Sequence, residues 1–250
     1  MAHAIAQALP GESIVYFGDT AHLPYGDKSP DSIKYYSIRI AQFLLHKKCK
    51  AIVIACNTAS SIASETVRDF AGKKIPVIDV ISPAVERITL LKKISKVGVI
   101  GTKGTIRSDV YAKKIHQQKP GIEVVSLATP LLAPMIEEGF FNNKISRTII
   151  GSYLLRPKLK NINVLILGCT HYPLIRPEVE EIYGGKTPVL DSAEIVAAEV
   201  KRTLTRKKML ASGRKGTHHF YVSDYTQSFE KTTGVFFGNQ IRLEEARIWK

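Results

Sequence analysis

A chain of 250 residues with 44% hydrophobic residues can form one large globular domain or two small ones. No apolar run approaches the roughly 20 residues of a membrane-spanning helix, and the N-terminus lacks the zones of a secretory signal, so we expect a cytoplasmic protein without membrane contact. The three cysteines are too few for a disulfide framework and lack the C-x-x-C spacing of a zinc site, so we expect no metal.

The net charge of +14 favours anionic partners. Its densest run is Lys201–Lys215, with seven Lys or Arg residues and no acidic residue. No nucleic-acid-binding motif accompanies this run. We therefore interpret it as a solvated helix face followed by a loop, and we do not expect nucleic acid as a partner.

Short runs rich in Val and Ile alternate with longer amphipathic stretches along the chain. Runs that are apolar throughout predict strands buried on both faces, and the intervening segments are long enough for crossover helices. The pattern predicts an α/β fold with mainly parallel sheets. The predicted strands are Ser13–Asp19, Ala51–Cys56, Ile75–Val80, Val97–Thr102, Glu123–Thr129, Val164–Cys169 and Pro188–Ser192, with a further candidate at His218–Asp224.

Helix boundaries are marked between these strands. Ser29-Pro30-Asp31 forms a capped helix start, and apolar residues follow it at helical spacing. The helical stretch after Ala51–Cys56 stops at Gly72. The opening residues, MAHAIAQALP, predict one further helix.

The two halves of the chain resemble each other. Pro10-Gly11 matches Pro120-Gly121 at an offset of 110, VIACNTA matches ILGCTHY at 113, and PVIDV matches PVLDS at 112. This repeat pairs Cys56 with Cys169 at the carboxyl ends of equivalent strands, where open α/β sheets bind ligands.

The repeat predicts two pseudo-symmetric open α/β domains with an active site in the cleft between them. We assign residues 1–91 and 192–250 to the first domain and 92–191 to the second. The second half opens with the strand Lys96–Ile106, whose equivalent in the first half falls before residue 1. We therefore expect the first sheet to be one strand short.

Two short sequences, Cys56-Asn57-Thr58 and Cys169-Thr170-His171, carry the predicted chemistry. A single cysteine at the end of a buried strand is usually a packing residue. Two cysteines at matching positions of a repeat, each followed by polar residues, instead predict a functional pair. Where a strand turns into a helix, unpaired N–H groups bind a carboxylate and lower a thiol pKa. Thiols on opposite sides of one cleft suit two-base proton transfer better than a dithiol redox couple.

Five stretches, GDTAHLPYG, ACNTASS, GVIGTKGTI, PMIEEG and GCTHYPLI, together resemble the glutamate racemases of the aspartate/glutamate racemase superfamily, from Ala2 to Asp191. The resemblance implies an isomerase that racemises glutamate without a cofactor and supplies D-glutamate for peptidoglycan. Cys56 would act on the D face of the substrate and Cys169 on the L face. A homodimer is also implied.

The resemblance further assigns residues to the site. Glu137 and His171 would support Cys169. The residues implied to bind the substrate are Pro24, Tyr25, Gly26, Asn57, Thr58, Thr170 and His171.

One part of the family pattern is missing. The family opens with a strand ending in Asp-Ser-Gly, whose Asp assists the first cysteine and whose Ser binds substrate, and this sequence has no such motif. Either the start codon is placed too late or the product is truncated, and a truncated product would have little activity. The alternatives are an aspartate or broad-specificity racemase, and an inactive homologue that binds a partner through Lys201–Lys215.

Overall fold

The structure, a computed structural model, describes residues 1–213, 215–225 and 242–249. The strands are β1 (Ile14–Gly18), β2 (Ile52–Ile54), β3 (Val77–Asp79), β4 (Lys96–Gly101), β5 (Glu123–Ala128), β6 (Val164–Gly168), β7 (Val189–Leu190), β8 (His218–Val222) and β9 (Leu243–Glu245). The α-helices are α1 (Ala2–Ala8), α2 (Pro30–His46), α3 (Asn57–Ala71), α4 (Ile81–Thr89), α5 (Lys103–Ser108), α6 (Val110–Gln118), α7 (Leu132–Glu137), α8 (Lys144–Leu154), α9 (Arg176–Ile182) and α10 (Ser192–Arg206). Short 3-10 helices lie at Thr20–His22, Tyr25–Asp27, Pro157–Leu159 and Tyr172–Ile175.

The helix ends follow the expected capping chemistry. The Ser32 amide donates to Oγ of Ser29 at 3.2 Å, and Pro30 occupies the first turn of α2. Helix α3 ends at Ala71 and is followed by its C-cap Gly72, which has φ of +73°. The predicted helices at the N-terminus, after Ser29 and before Gly72 are thus confirmed.

The second half of the chain contains a four-stranded parallel sheet in the order β5-β4-β6-β7. Its central strand β4 pairs on both sides, so that Val97 lies opposite both Val124 and Val164. Every residue of β6 is buried, as an apolar run without alternation predicts. The predicted α/β class with parallel sheets is confirmed.

The strands of the first half belong to two separate parallel sheets, β2-β3 and β1-β8-β9, and the second of these sheets takes β8 and β9 from the C-terminal part of the chain. By the offsets of the repeat, β1, β2 and β3 correspond to β5, β6 and β7. The position that corresponds to β4 therefore lies between β1 and β2, and no described strand joins these two. The first four residues of β1 are only partly buried, in contrast to β6.

The apolar core also connects the two halves. One cluster packs α1 and α4 of the first half, together with the C-terminal helix α10, against Val97, Val99 and Tyr111 of the second half. A second cluster lies within the second half, and a third joins α2, α3 and β2. Cys56 packs against the third cluster and Cys169 lies in the second, while their strands β2 and β6 both contribute residues to the first cluster.

The basic run predicted as solvated begins in α10 and continues into the following loop. Its described Lys and Arg side chains are exposed, and Arg214 lies outside the described residues. Arg202 forms ion pairs with Glu86 and Glu199. No helix in the described part of the chain has the length and apolar character needed to cross a membrane.

Candidate active site

Cys56 lies two residues after the end of β2 and is the N-cap of α3. The amide of Ala59 donates to its Sγ at 3.5 Å. Burial raises the thiol pKa, while hydrogen bonds from the backbone of Ala59 and Thr58 and from the Thr58 side chain oppose that rise. The net effect is a pKa above the ordinary value of a thiol.

Cys169 follows β6 and is 7% exposed. Burial raises the pKa of its thiol to about 12, with smaller increases from the negative charges of Cys56 and Glu137. A backbone hydrogen bond from His171 acts in the opposite direction.

Two expectations about these strand ends are wrong. The helix start was expected to lower the thiol pKa, but loss of hydration outweighs the backbone hydrogen bonds at both Cys56 and Cys169. In addition, only Cys56 caps an α-helix, because Cys169 is followed by the 3-10 helix Tyr172–Ile175 before α9 begins at Arg176.

His171 connects Cys169 to Glu137. Its Nδ1 lies 3.6 Å from Sγ of Cys169, and its Nε2 lies 3.2 Å from Oε1 of Glu137. Burial lowers the pKa of the imidazole, and burial also raises the pKa of the Glu137 carboxyl. The thiol, the imidazole and the carboxyl group thus form a chain along which a proton can move.

Asn57 and Thr58, the first residues of α3, contact the second half of the molecule. The hydroxyl of Tyr111 donates to Oδ1 of Asn57 at 2.7 Å. The Thr58 hydroxyl lies 2.8 Å from that of Thr102 and 3.3 Å from that of Thr105. These hydrogen bonds bring the segment after Cys56 to the carboxyl end of β4.

The segment Pro24-Tyr25-Gly26 lies against the same end of β4. The Tyr25 hydroxyl donates to Oδ2 of the buried Asp19 at 2.6 Å. A Cβ atom added to Gly26 would lie 2.8 Å from Cβ of Thr102, so only glycine permits this approach. Thr102 is therefore close both to Gly26 of this segment and to Thr58 of α3.

Residues 1–200 match the family model described as Asp/Glu/Hydantoin racemase. The chain belongs to this family.

Individual relatives agree with that assignment. The chain is 41% identical over 238 residues to the glutamate racemase of Geobacter metallireducens, and the matched region covers 95% of this chain and 87% of that protein. The structure of Francisella tularensis glutamate racemase in complex with D-glutamate matches with a TM-score of 0.93 at 37% identity, covering 99% of this chain and 92% of that one. Glutamate racemase isoform RacE1 of Bacillus anthracis matches with a TM-score of 0.90 at 34% identity, covering 98% and 91%. The predicted superfamily and the isomerase class are confirmed.

The fold brings most of the predicted site residues of this racemase-family chain to neighbouring strand ends. Thr170 is partly buried next to Cys169, and none of its described contacts indicates a role. Cys49, the third cysteine, has no counterpart in the repeat; it lies in the loop after α2 and is half-buried. Among the described residues, no group of three or more His, Cys, Asp and Glu side chains could hold a metal ion. The roles of the individual residues stay predictions.

The sequence reasoning missed four side chains at this site: Asp19, Thr102, Thr105 and Tyr111. Thr102 and Thr105 could have been found, since they follow a predicted strand whose carboxyl end was expected to face the cleft. Nothing in the sequence distinguishes Tyr111 from an ordinary core tyrosine of an amphipathic helix.

Proposed function

We propose that this protein interconverts L- and D-glutamate by two-base proton transfer between Cys56 and Cys169, without a cofactor. The observation that carries the proposal is the pair of repeat-related thiols, each placed just beyond the carboxyl end of an equivalent buried strand. Support for glutamate as substrate comes from relatives named glutamate racemase and from the D-glutamate complex of the Francisella protein.

In the L to D direction, the Cys169 thiolate removes the α-proton. The Cα–H bond breaks, an S–H bond forms, and the electron pair stays on the carbanion. The S–H bond of Cys56 then breaks as its proton passes to the opposite face of Cα, leaving a thiolate. The reverse reaction exchanges the two roles.

His171 and Glu137 would help to ionise Cys169. A thiol with a pKa of about 12 is rarely a thiolate at neutral pH, so a nearby base is needed. His171 Nδ1 lies within reach of Sγ and can accept its proton. The carboxylate of Glu137 then stabilises the imidazolium from 3.2 Å.

The substrate carboxylates would bind at the start of α3. The unpaired N–H groups of the first turn and the positive end of the helix favour an anion there. Asn57 and Thr58 would add side-chain donors, and Thr170 with the backbone of Tyr25 and Gly26 would complete the site.

The test is incubation of the 250-residue chain with L-glutamate in D2O. We expect deuterium at Cα and loss of optical activity, and neither Cys56→Ser nor Cys169→Ser should racemise glutamate. Cys49→Ser is the matched control, because it also removes a thiol and should retain full activity. A folded wild-type chain without α-deuterium exchange would refute the proposal. If aspartate exchanges its α-proton for deuterium as efficiently as glutamate does, the protein is instead a broad-specificity racemase.

We further propose the cellular setting and organisation. The protein would act in the cytoplasm and supply D-glutamate for peptidoglycan, as a homodimer whose mass light scattering can measure. Residues 1–91 with 192–250 would form one domain and residues 92–191 the other. Limited proteolysis near residues 91 and 191 would test this division.

A further inference from the structure

Tyr111 contacts both segments that carry the thiols. It lies in α6, is 2% exposed, and donates its hydroxyl hydrogen to Oδ1 of Asn57, the residue after Cys56. Its ring lies against Gly168, the residue before Cys169, because a Cβ added to Gly168 would be 3.6 Å from Cε2 of Tyr111. One rigid side chain therefore spans the gap between the two strand ends.

The hydrogen bond from Tyr111 leaves Asn57 with a free donor. Asn57 is 2% exposed, and its Nδ2 has no hydrogen-bond partner among the described residues. A buried amide NH2 without an acceptor is costly, and such a group in a native protein calls for an explanation. A bound carboxylate would supply the missing acceptor.

We infer that Tyr111 is a positioning residue that fixes the amide of Asn57 so that Nδ2, not Oδ1, is left for the substrate carboxylate. If the amide were rotated by half a turn, Nδ2 would donate to the Tyr111 oxygen, the buried phenolic hydrogen would lose its acceptor, and Oδ1 would face an anion. Two oxygens that carry negative charge would then repel each other. This inference rests on the proposed function, because the ligand of Nδ2 is the substrate.

The first test is Tyr111→Phe, which removes the hydroxyl and keeps the ring against Gly168. We expect KM for both enantiomers to rise about ten-fold, since the amide loses its fixed orientation, and kcat to change by less than about three-fold. L- and D-glutamate have equal free energies in solution, so kcat/KM must fall equally in both directions. Tyr153→Phe is the matched control, because Tyr153 is also buried and its hydroxyl accepts a hydrogen bond from the Leu131 amide at 3.4 Å. KM should not change in that variant.

The second test asks whether Tyr111 acts through Asn57. In an Asn57→Ala background, Tyr111→Phe should change kcat/KM and the calorimetric Kd for L-glutamate by less than about two-fold. A full additional loss in the double variant, or an unchanged KM in Tyr111→Phe, would overturn the inference.

Glutamate binding by the wild type also separates the proposed function from the proposed role of Tyr111. A wild type that binds but does not racemise glutamate refutes only the function, and Tyr111→Phe still tests the positioning role. Failure of the wild type to bind glutamate overturns both.

Discussion

Replacing Cys169 by serine should make the protein less sensitive to alkaline pH. The Cys169 thiol is 7% exposed, and burial raises its pKa to about 12 from an ordinary value of 9.0. Serine has nearly the same size and does not ionise in this range. The substitution therefore removes one titrating group with little change of shape.

The sign and size of the effect follow from the two pKa values. Because the folded chain holds the proton more tightly, the stability due to this group is complete below pH 9.0 and is lost as the pH rises towards 12. Near pH 10 the unfolded thiol is about ten to one in favour of thiolate, while the folded thiol remains protonated. The buried thiol should then lower the free energy of unfolding by about 1.4 kcal/mol relative to neutral pH.

The assay is urea unfolding of the wild type and Cys169→Ser under reducing conditions, at neutral pH and near pH 10. Buried tyrosines are common to both proteins, so the difference between the two isolates the thiol. Cys49→Ser is the control for sulfur loss, and it should show a smaller pH effect because Cys49 is only half-buried. If the difference in the free energy of unfolding between wild type and Cys169→Ser is the same at both pH values, the pKa of the Cys169 thiol is not raised in the folded chain.

Three further substitutions test the site and its support. Glu137→Gln should lower kcat roughly ten-fold in steady-state assays, because the carboxylate that stabilises the imidazolium is lost, and the exposed neighbour Glu138→Gln should have no effect. Gly104→Ala places a methyl group 2.8 Å from a threonine methyl of α3 and should cost about 1–3 kcal/mol in urea unfolding, whereas Gly121→Ala meets no atom within 4 Å and should be neutral. Ser29→Ala removes the N-cap of α2 and should cost about 1 kcal/mol. An equal loss of kcat in Glu137→Gln and Glu138→Gln would contradict the first prediction, and an equal loss of stability in Gly104→Ala and Gly121→Ala would contradict the second. An unchanged urea midpoint in Ser29→Ala would contradict the third.

Much of the fold could be predicted because its strands are buried on both faces. Such strands appear as short apolar runs, and the repeat placed Cys56 and Cys169 at equivalent ends. The 3-10 helix after Cys169 was not predicted, because the polar residues after both cysteines look alike in sequence. The order of strands within a sheet also cannot be read from apolar runs alone.

The site was predicted less completely than the fold. Asn57 and Thr58 could be found beside their cysteine, but their partners Thr102 and Tyr111 belong to the other half. Which side chains meet there depends on how the halves dock, and sequence separation carries no information about docking. The direction of the thiol pKa shifts was wrong for a related reason, since the depth of burial is a property of the assembled core.

The interruption between β1 and β2 should be visible in hydrogen exchange. In a parallel strand, successive amides point to opposite edges. Strand β4 pairs on both sides, so its amides should exchange slowly along its whole length. Strand β1 pairs with β8 on one side, and no described strand faces its other edge. Its amides should therefore alternate between slow and fast exchange, and any segment that occupies this position would remove the alternation.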